Sequence, residues 1–207
     1  MKNILRLRTI SNIGSIEMND APIKITKEET VYSGEYLDAV KRHFITRASR
    51  EGVWEMIKRK KHRGRIVAIV AVTENKEIIF EKTYRIPLRS YVLELPAGLM
   101  DKEGESEEDA IKRELTEETG YAVDDVKLLF AGPYNTGLTA DEFAIYLGLN
   151  ARFVREQELE DEEVIEVVKV PLKNLYEFLL DTMAGNEMKL DIKTFAIIPF
   201  LQKMKML

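Results

Sequence analysis

The 207-residue sequence predicts an α/β protein: a mixed β-sheet between helical layers, preceded by a small N-terminal β module. Three observations point there. Residues 66–73 form a continuous, largely β-branched apolar run, the pattern of a strand covered on both faces. Further short apolar segments bounded by turn residues recur on both sides of a charged helical segment at 106–120. Near the C-terminus two stretches carry apolar residues at helical spacing. Strands interleaved with helices must cover both faces of the sheet, which is a layered α/β architecture.

Taken in order, residues 1–30 are polar and mixed with weak alternation near 23–25, reading as loosely ordered chain or edge strands. Strand-like patches at 36–46 and 53–60, separated by 47–52, complete a β module over residues 1–61. The basic run Lys58-Arg59-Lys60-Lys61-His62-Arg63 reads as a solvated face able to steer an anion. The main domain then spans 62–207. Its first strand, 66–73, is followed by strands at 77–83 and 91–95, with turns at 74–76 and 87–90. Ser106-x-x-Asp109 has the form of a capping box, Gly120 fits the helix stop, and Ile111 and Leu115 supply the core-facing stripe. Strands are expected at 126–130, 143–149 and 164–170, and amphipathic helices at 171–181 and 191–206.

Composition narrows the function. The net charge of −5 argues against a general nucleic-acid-binding surface, which needs a basic excess. With no cysteine there is no disulfide framework, thiol nucleophile or cysteine-ligated zinc. His43 and His62 lack metal-site spacing and read as surface or packing residues. Residues 1–10 do not form a secretory signal, and the longest apolar run, 66–72, is too short to cross a bilayer, so a cytoplasmic protein is expected.

The chemistry concentrates between Gly98 and Tyr121. On a helix Glu114 and Glu118 stand one turn apart, and Arg113 and Glu117 form the neighbouring i,i+4 pair. At 100° per residue the three glutamates share an arc of roughly 100°. Stacked like charges weaken a helix, and acids in its last turn face the negative end of the dipole. A helix that gathers acids where they repel is suited to a hard divalent cation, Mg²⁺ or Mn²⁺. The plain alternatives are a solvated acidic helix and an ordinary Arg113–Glu117 salt bridge, worth a fraction of a kcal/mol.

This segment resembles the signature of the Nudix hydrolases, Gly-x5-Glu-x7-Arg-Glu-apolar-x-Glu-Glu-x-Gly-apolar. The match is complete from Glu105 to Tyr121, while six residues rather than five separate Gly98 from Glu105. The extra residue falls before the helix, so the helical geometry is expected to survive, and Glu105 is expected to matter less than Glu114 or Glu118. The resemblance implies a Nudix α/β/α sandwich that hydrolyses a diphosphate. It implies that Glu114, Glu118 and the Ala97 carbonyl hold metal, that Glu117 binds metal or orients water, and that Arg113 holds Glu117 in place.

Over roughly residues 36–200 the chain looks most like the ADP-ribose and nucleotide-sugar pyrophosphatases. Trp54-Glu55-x3-Arg59 is similar to a segment whose tryptophan stacks on adenine while the glutamate and arginine bind the nucleotide; the alternative for Trp54 is a core residue. Tyr84-Arg85-x-Pro87 is similar to a segment whose arginine, here Arg85, contacts the diphosphate. Glu94-Leu95-Pro96-Ala97-Gly98-Leu99 has the subfamily's form and implies that Leu99 lines the substrate. The acidic run 160–166 resembles a loop that delivers a catalytic glutamate, and alignment on the following strand selects Glu163 over Glu162. Lys189-Leu190-Asp191-x2-Thr194 resembles the start of the family's last helix. The proline usual for ADP-ribose cleavage, sixteen residues after Gly120, is replaced by Thr136, with Pro133 three residues early.

The expected activity is hydrolysis of ADP-ribose or a related nucleoside diphosphate sugar to AMP (or another NMP) and a sugar phosphate. The alternatives are a pyrophosphatase of GDP-mannose or UDP-glucose type sugars, a non-catalytic module that senses ADP-ribose, and a hydrolase of non-canonical nucleoside triphosphates. The resemblance also implies a homodimer whose N-terminal module completes the partner's adenine site.

Overall fold

A computed structural model describes residues 21–60 and 64–207, which form two compact units. The expected boundary at 61/62, His62, part of the basic run and residues 1–10 lie outside the described residues.

The first unit is a three-stranded antiparallel sheet, β1 (Ile23–Ser33), β2 (Leu37–Thr46) and β3 (Glu51–Arg59), in that order. β1 is an exposed edge strand along its whole length. The β2–β3 turn closes through Thr46 N–H to Arg50 O at 2.9 Å, with Ser49 in the left-handed region at φ 56°. Val40 and Met56 sit opposite each other across β2 and β3 and are the unit's buried apolar pair. Residues Gly137–Thr139 belong to this unit: Ile57 N–H donates to Leu138 O at 2.9 Å, and Trp54 Nε1–H donates to Gly137 O at 2.9 Å.

The second unit opens with β4 (Ile66–Thr73), β5 (Glu77–Arg85), β6 (Ser90–Glu94) and β7 (Ala97–Gly98). Then come α1 (Glu107–Thr119), β8 (Tyr121–Ala122), β9 (Val126–Pro133), β10 (Glu142–Phe153) and β11 (Ile165–Pro171). α2 (Leu175–Ala184), β12 (Lys189–Leu190) and α3 (Ile198–Lys203) complete it. The nine strands make one mixed sheet of order β12-β6-β5-β4-β10-β8, with β11 against β5, β7 against β4 and β9 against β10. β4/β10 and β12/β6 run parallel and the other pairs antiparallel.

β4 is buried along its whole length because it serves two cores. Val67, Ile69 and Ala71 pack with Ala110, Ile111 and Leu115 of α1, while Ala68, Val70 and Val72 pack with Leu175, Leu179, Ile198 and Leu201 of α2 and α3. That is the period-2 alternation of a strand between two helical layers. Ile111 and Leu115 are fully buried, each worth about 1.5–3 kcal/mol of apolar transfer.

Two helix expectations need correction. The segment 171–181 begins as the end of β11 and a short 3₁₀ turn, Leu172–Asn174, before α2 starts at Leu175. The segment 191–206 is not one α-helix: a 3₁₀ stretch, Ile192–Ile197, precedes a six-residue α3. Pro199 stands at the start of α3, where its missing N–H and its ring prevent an α-helical ladder from continuing through. The two-residue strands β7, β8 and β12 were also not anticipated; each is too short to show a period. Among the described residues no helix is long and apolar enough to cross a membrane.

Candidate active site

β4 and β5 pair only at Ala71–Ile79 and Val72–Ile78, and β7 takes the rest of that edge of β4, opposite Val67 and Ala68. This brings Ala97 and Gly98 beneath the C-terminal half of α1. Glycine at 98 makes room for Glu114: a Cβ there would stand 2.0 Å from the Glu114 carboxyl carbon and 2.2 Å from its Oε1, so that side chain would have to move. The motif glycine is therefore the space into which Glu114 fits. Next door, Ala97 N–H donates to Glu118 Oε2 at 3.2 Å.

α1 starts with Ser106, whose hydroxyl accepts from Asp109 N–H at 3.1 Å and donates to Asp109 Oδ2 at 2.7 Å. It stops at Gly120, left-handed at φ 76°, where a Cβ would lie 2.1 Å from Arg155 O. Its first turn is pinned to the sheet. Arg65 donates twice to Glu107, Nε to Oε1 and Nη2 to Oε2, both at 2.8 Å, and Tyr146 O–H donates to Oε2 at 2.6 Å. Glu118 continues the buried stripe of Ile111 and Leu115, so the helix carries a carboxylate into its core-facing side.

Arg113 organises the other acids. Its Nε donates to Glu105 Oε1 at 2.9 Å and Nη2 to Glu105 Oε2 at 3.0 Å, a bidentate pair. Nη1 donates to Glu114 Oε1 and Glu117 Oε2, both at 2.9 Å, and Nη2 reaches Asp101 Oδ1 at 3.3 Å. The Arg113–Glu117 pairing of the sequence reading is present. Glu105, at the helix entry, has a nearly buried side chain that holds Arg113 through both of its oxygens. The extra residue before it is taken up in a turn where Gly104 adopts φ 79°.

The charge balance of the site is unfavourable as it stands. Burial, and secondarily the neighbouring Glu117 and Asp101, push the Glu114 carboxyl up to about 7 against the pull of Arg113. Burial raises Glu118 well above the usual carboxylate range, and repulsion from Glu81 and Glu114 adds to it. Glu81 lies beside Glu118, and burial raises its carboxyl as well. Glu81 was not singled out from the sequence. The available signal was an acid two residues from Ile79, on the face of β5 that Ile79 turns into the core.

Glu163 lies in the loop before β11, half-buried, with Oε2 accepting from Glu160 N–H at 2.9 Å. Its charge is near enough to raise both Glu81 and Glu118, and Glu162 beside it is exposed. Arg85, at the end of β5, donates from Nε to Glu94 Oε1 at 2.7 Å. That partner, too, was missed, although Glu94 is part of the quoted motif. Leu99 is half-buried just after β7.

Ala97, Leu99, Glu114, Glu117, Glu118, Arg113, Arg85 and Glu163 thus all lie in the second unit. Trp54, Glu55 and Arg59 lie on β3 of the first. Trp54 is 54% exposed, which removes the core reading of this tryptophan; Glu55 is exposed and 3.7 Å from Lys41.

Among the described residues no three acidic or histidine side chains stand in ready-made coordinating geometry. Glu114 is engaged by Arg113, and Glu118 by Glu81 and the Ala97 N–H. The donor set nevertheless fits a hard divalent cation. It is all oxygen, it is mutually repelling, and Glu81 Oε1 is buried without a hydrogen-bond partner among the described residues. Glu114, Glu118 and the Ala97 carbonyl are the residues that would hold it.

Comparison with known proteins identifies the family. The NUDIX domain family model matches residues 62–189. The chain is 31% identical over 180 residues to an ADP-ribose pyrophosphatase of Bacillus subtilis, covering 86% of this chain and 92% of that protein. To the ADP-sugar pyrophosphatase of Mus musculus it is 29% identical over 194 residues, 88% of each. A solved structure described as an ADP compounds hydrolase shares the fold at a TM-score of 0.65 and 22% identity, over 76% of this chain and 84% of that one. With the glycine that admits Glu114, the arginine that gathers the acids and the match over most of its length, this chain belongs to the Nudix hydrolase family.

Proposed function

We propose that the protein hydrolyses the diphosphate bond of ADP-ribose or a related nucleoside diphosphate sugar, using Mg²⁺ or Mn²⁺. The observation that carries this reading is the Gly98–Glu114 fit beside Glu118, on a chain similar over most of its length to two proteins named for ADP-ribose and ADP-sugar cleavage. A divalent cation bound there supplies charge to screen the phosphates and to acidify water. Arg113 keeps Glu114 and Glu117 aimed. Glu163 takes the proton of the attacking water, whose oxygen bonds to phosphorus as the bridging P–O bond breaks, leaving AMP and ribose 5-phosphate.

Arg85 contacts the diphosphate, which requires it to exchange or share its Glu94 contact. Trp54 stacks on the base, Glu55 and Arg59 bind the nucleotide, and Leu99 lines the substrate. The exposure of Trp54 and its anchoring at the indole N–H leave its ring face available, which supports this role. We assign the working form as a homodimer and residues 1–61 as the module that completes the partner's adenine site. The test is a substrate panel with Mg²⁺: ADP-ribose, GDP-mannose, UDP-glucose and nucleoside triphosphates, with products separated by ion-exchange chromatography. AMP and ribose 5-phosphate from ADP-ribose support the proposal. Preference for GDP-mannose or UDP-glucose moves the specificity to other nucleotide sugars, consistent with Thr136, and turnover of triphosphates alone refutes it.

A further inference from the structure

We infer that Glu81 is an additional carboxylate ligand of the divalent-cation site, set into the sheet opposite the motif helix. This inference rests on the metal dependence proposed above. It starts from where Glu81 stands. Residues 79, 81 and 83 of β5 point to the α1 side of the sheet: Ile79 packs in the core beneath α1, and Glu81 is 2% exposed. An aliphatic residue would be the inexpensive choice between two packed layers, because a buried charge needs compensation.

Among the described residues the acids around Glu81 outnumber the cations near it. Glu81 pairs directly across the strands with Glu94, so two carboxylates face each other on one side of the sheet. From α1 comes a third, Glu118, buried beside Glu81. From the loop before β11 comes the field of Glu163. The cation near this group is Arg85, and its Nε is committed to Glu94 at 2.7 Å. Glu81 Oε1 is left buried with no partner among the described residues, and so is Thr83 Oγ1, the next polar atom along the same face. One carboxylate oxygen without a donor, beside a proposed metal ligand and facing further acids, is an acceptor awaiting a cation. Glu81 lies outside the helix motif and enters the site from the sheet, so the ion would be gripped from both layers.

The test uses the full chain, freed of metal with EDTA and dialysed, and follows Mn²⁺ binding by the EPR signal of the free ion. Glu81→Gln keeps the volume and a hydrogen-bonding group for Glu118 but removes the charge; Glu81→Leu removes both and carries the test if the Gln variant fails to fold. Each variant is expected to weaken Mn²⁺ binding by at least about tenfold. Glu108→Gln, an exposed acid on the same helix, is expected to leave it within twofold. If Glu81→Gln binds Mn²⁺ as wild type does, the inference fails even if kcat falls, because Glu81 then only positions Glu118. If wild type itself binds no Mn²⁺, the metal dependence fails and the inference goes with it.

Discussion

Replacing Glu114 by Gln tests whether the site stores unfavourable charge in the metal-free fold. The Glu114 side chain is 15% exposed, and its carboxyl is raised from 4.5 to about 7, mainly by burial. A carboxyl raised by folding binds protons more tightly in the native state. The fold is therefore unpenalised below pH 4.5 and loses stability as the pH climbs from there through 7. The gap of about 2.5 pH units corresponds to about 3 kcal/mol once the group is fully ionised. Gln mimics the neutral acid and still accepts from Arg113 Nη1, so metal-free Glu114→Gln should exceed wild type by about 3 kcal/mol at pH 8 and equal it at pH 4.5. For a chain of this size that is a rise in Tm of about 6–12 °C. The assay is thermal unfolding by circular dichroism in EDTA from pH 4.5 to 8.5, repeated with Mg²⁺, which should raise the Tm of wild type more than that of the variant. The same variant should lose at least ~100-fold in kcat. A Tm difference that does not change with pH, or a metal-free variant less stable than wild type at pH 8, would refute the reasoning.

Three other outcomes follow from the geometry. Gly98→Ala places a Cβ 2.0 Å from the Glu114 carboxyl carbon, so that side chain must move; kcat should fall by at least ~100-fold with an unchanged circular dichroism spectrum, and retained activity would show that Glu114 is not needed where it stands. Glu163→Gln should lower kcat by ~100-fold or more with little change in substrate affinity by calorimetry, while Glu162→Gln changes neither; the reverse order would transfer the base role to Glu162. Trp54→Ala should weaken ADP-ribose binding by about 1–3 kcal/mol with kcat at saturation preserved, and an unchanged KM would remove Trp54 from the substrate site.

Elements with enough length to show a period were legible in the sequence. The unbroken apolar run of β4 marked a strand with two covered faces, and Ser106 and Gly120 marked both ends of α1. The motif spacing located Glu114, Glu118 and Arg113, since a helix converts sequence offsets directly into angles. What escaped notice depends on pairing across the chain. The Glu105–Arg113 contact spans eight residues, and only the folded turn with Gly104 brings the two together. Nothing in the local sequence singles out Glu81, because the sheet register opposite Glu94 and the overlay of α1 are not written there. The break at Pro199 was legible, and the apolar spacing around it masked the signal.

Arg113 has five N–H donors in a rigid fork, and five hydrogen bonds leave it, to Glu105 twice, Glu114, Glu117 and Asp101. A saturated guanidinium of this kind works as a survey mark: the loop on one side and the helix on the other are both measured from it. The chain between Asp101 and Glu105 can then gain or lose a residue as an expansion joint does, its two ends fixed while the slack bulges into solvent. Lysine, with three donors on a single atom, could not close the same figure. Loop length there is thus free to drift while Glu105, Glu114 and Glu117 stay in register.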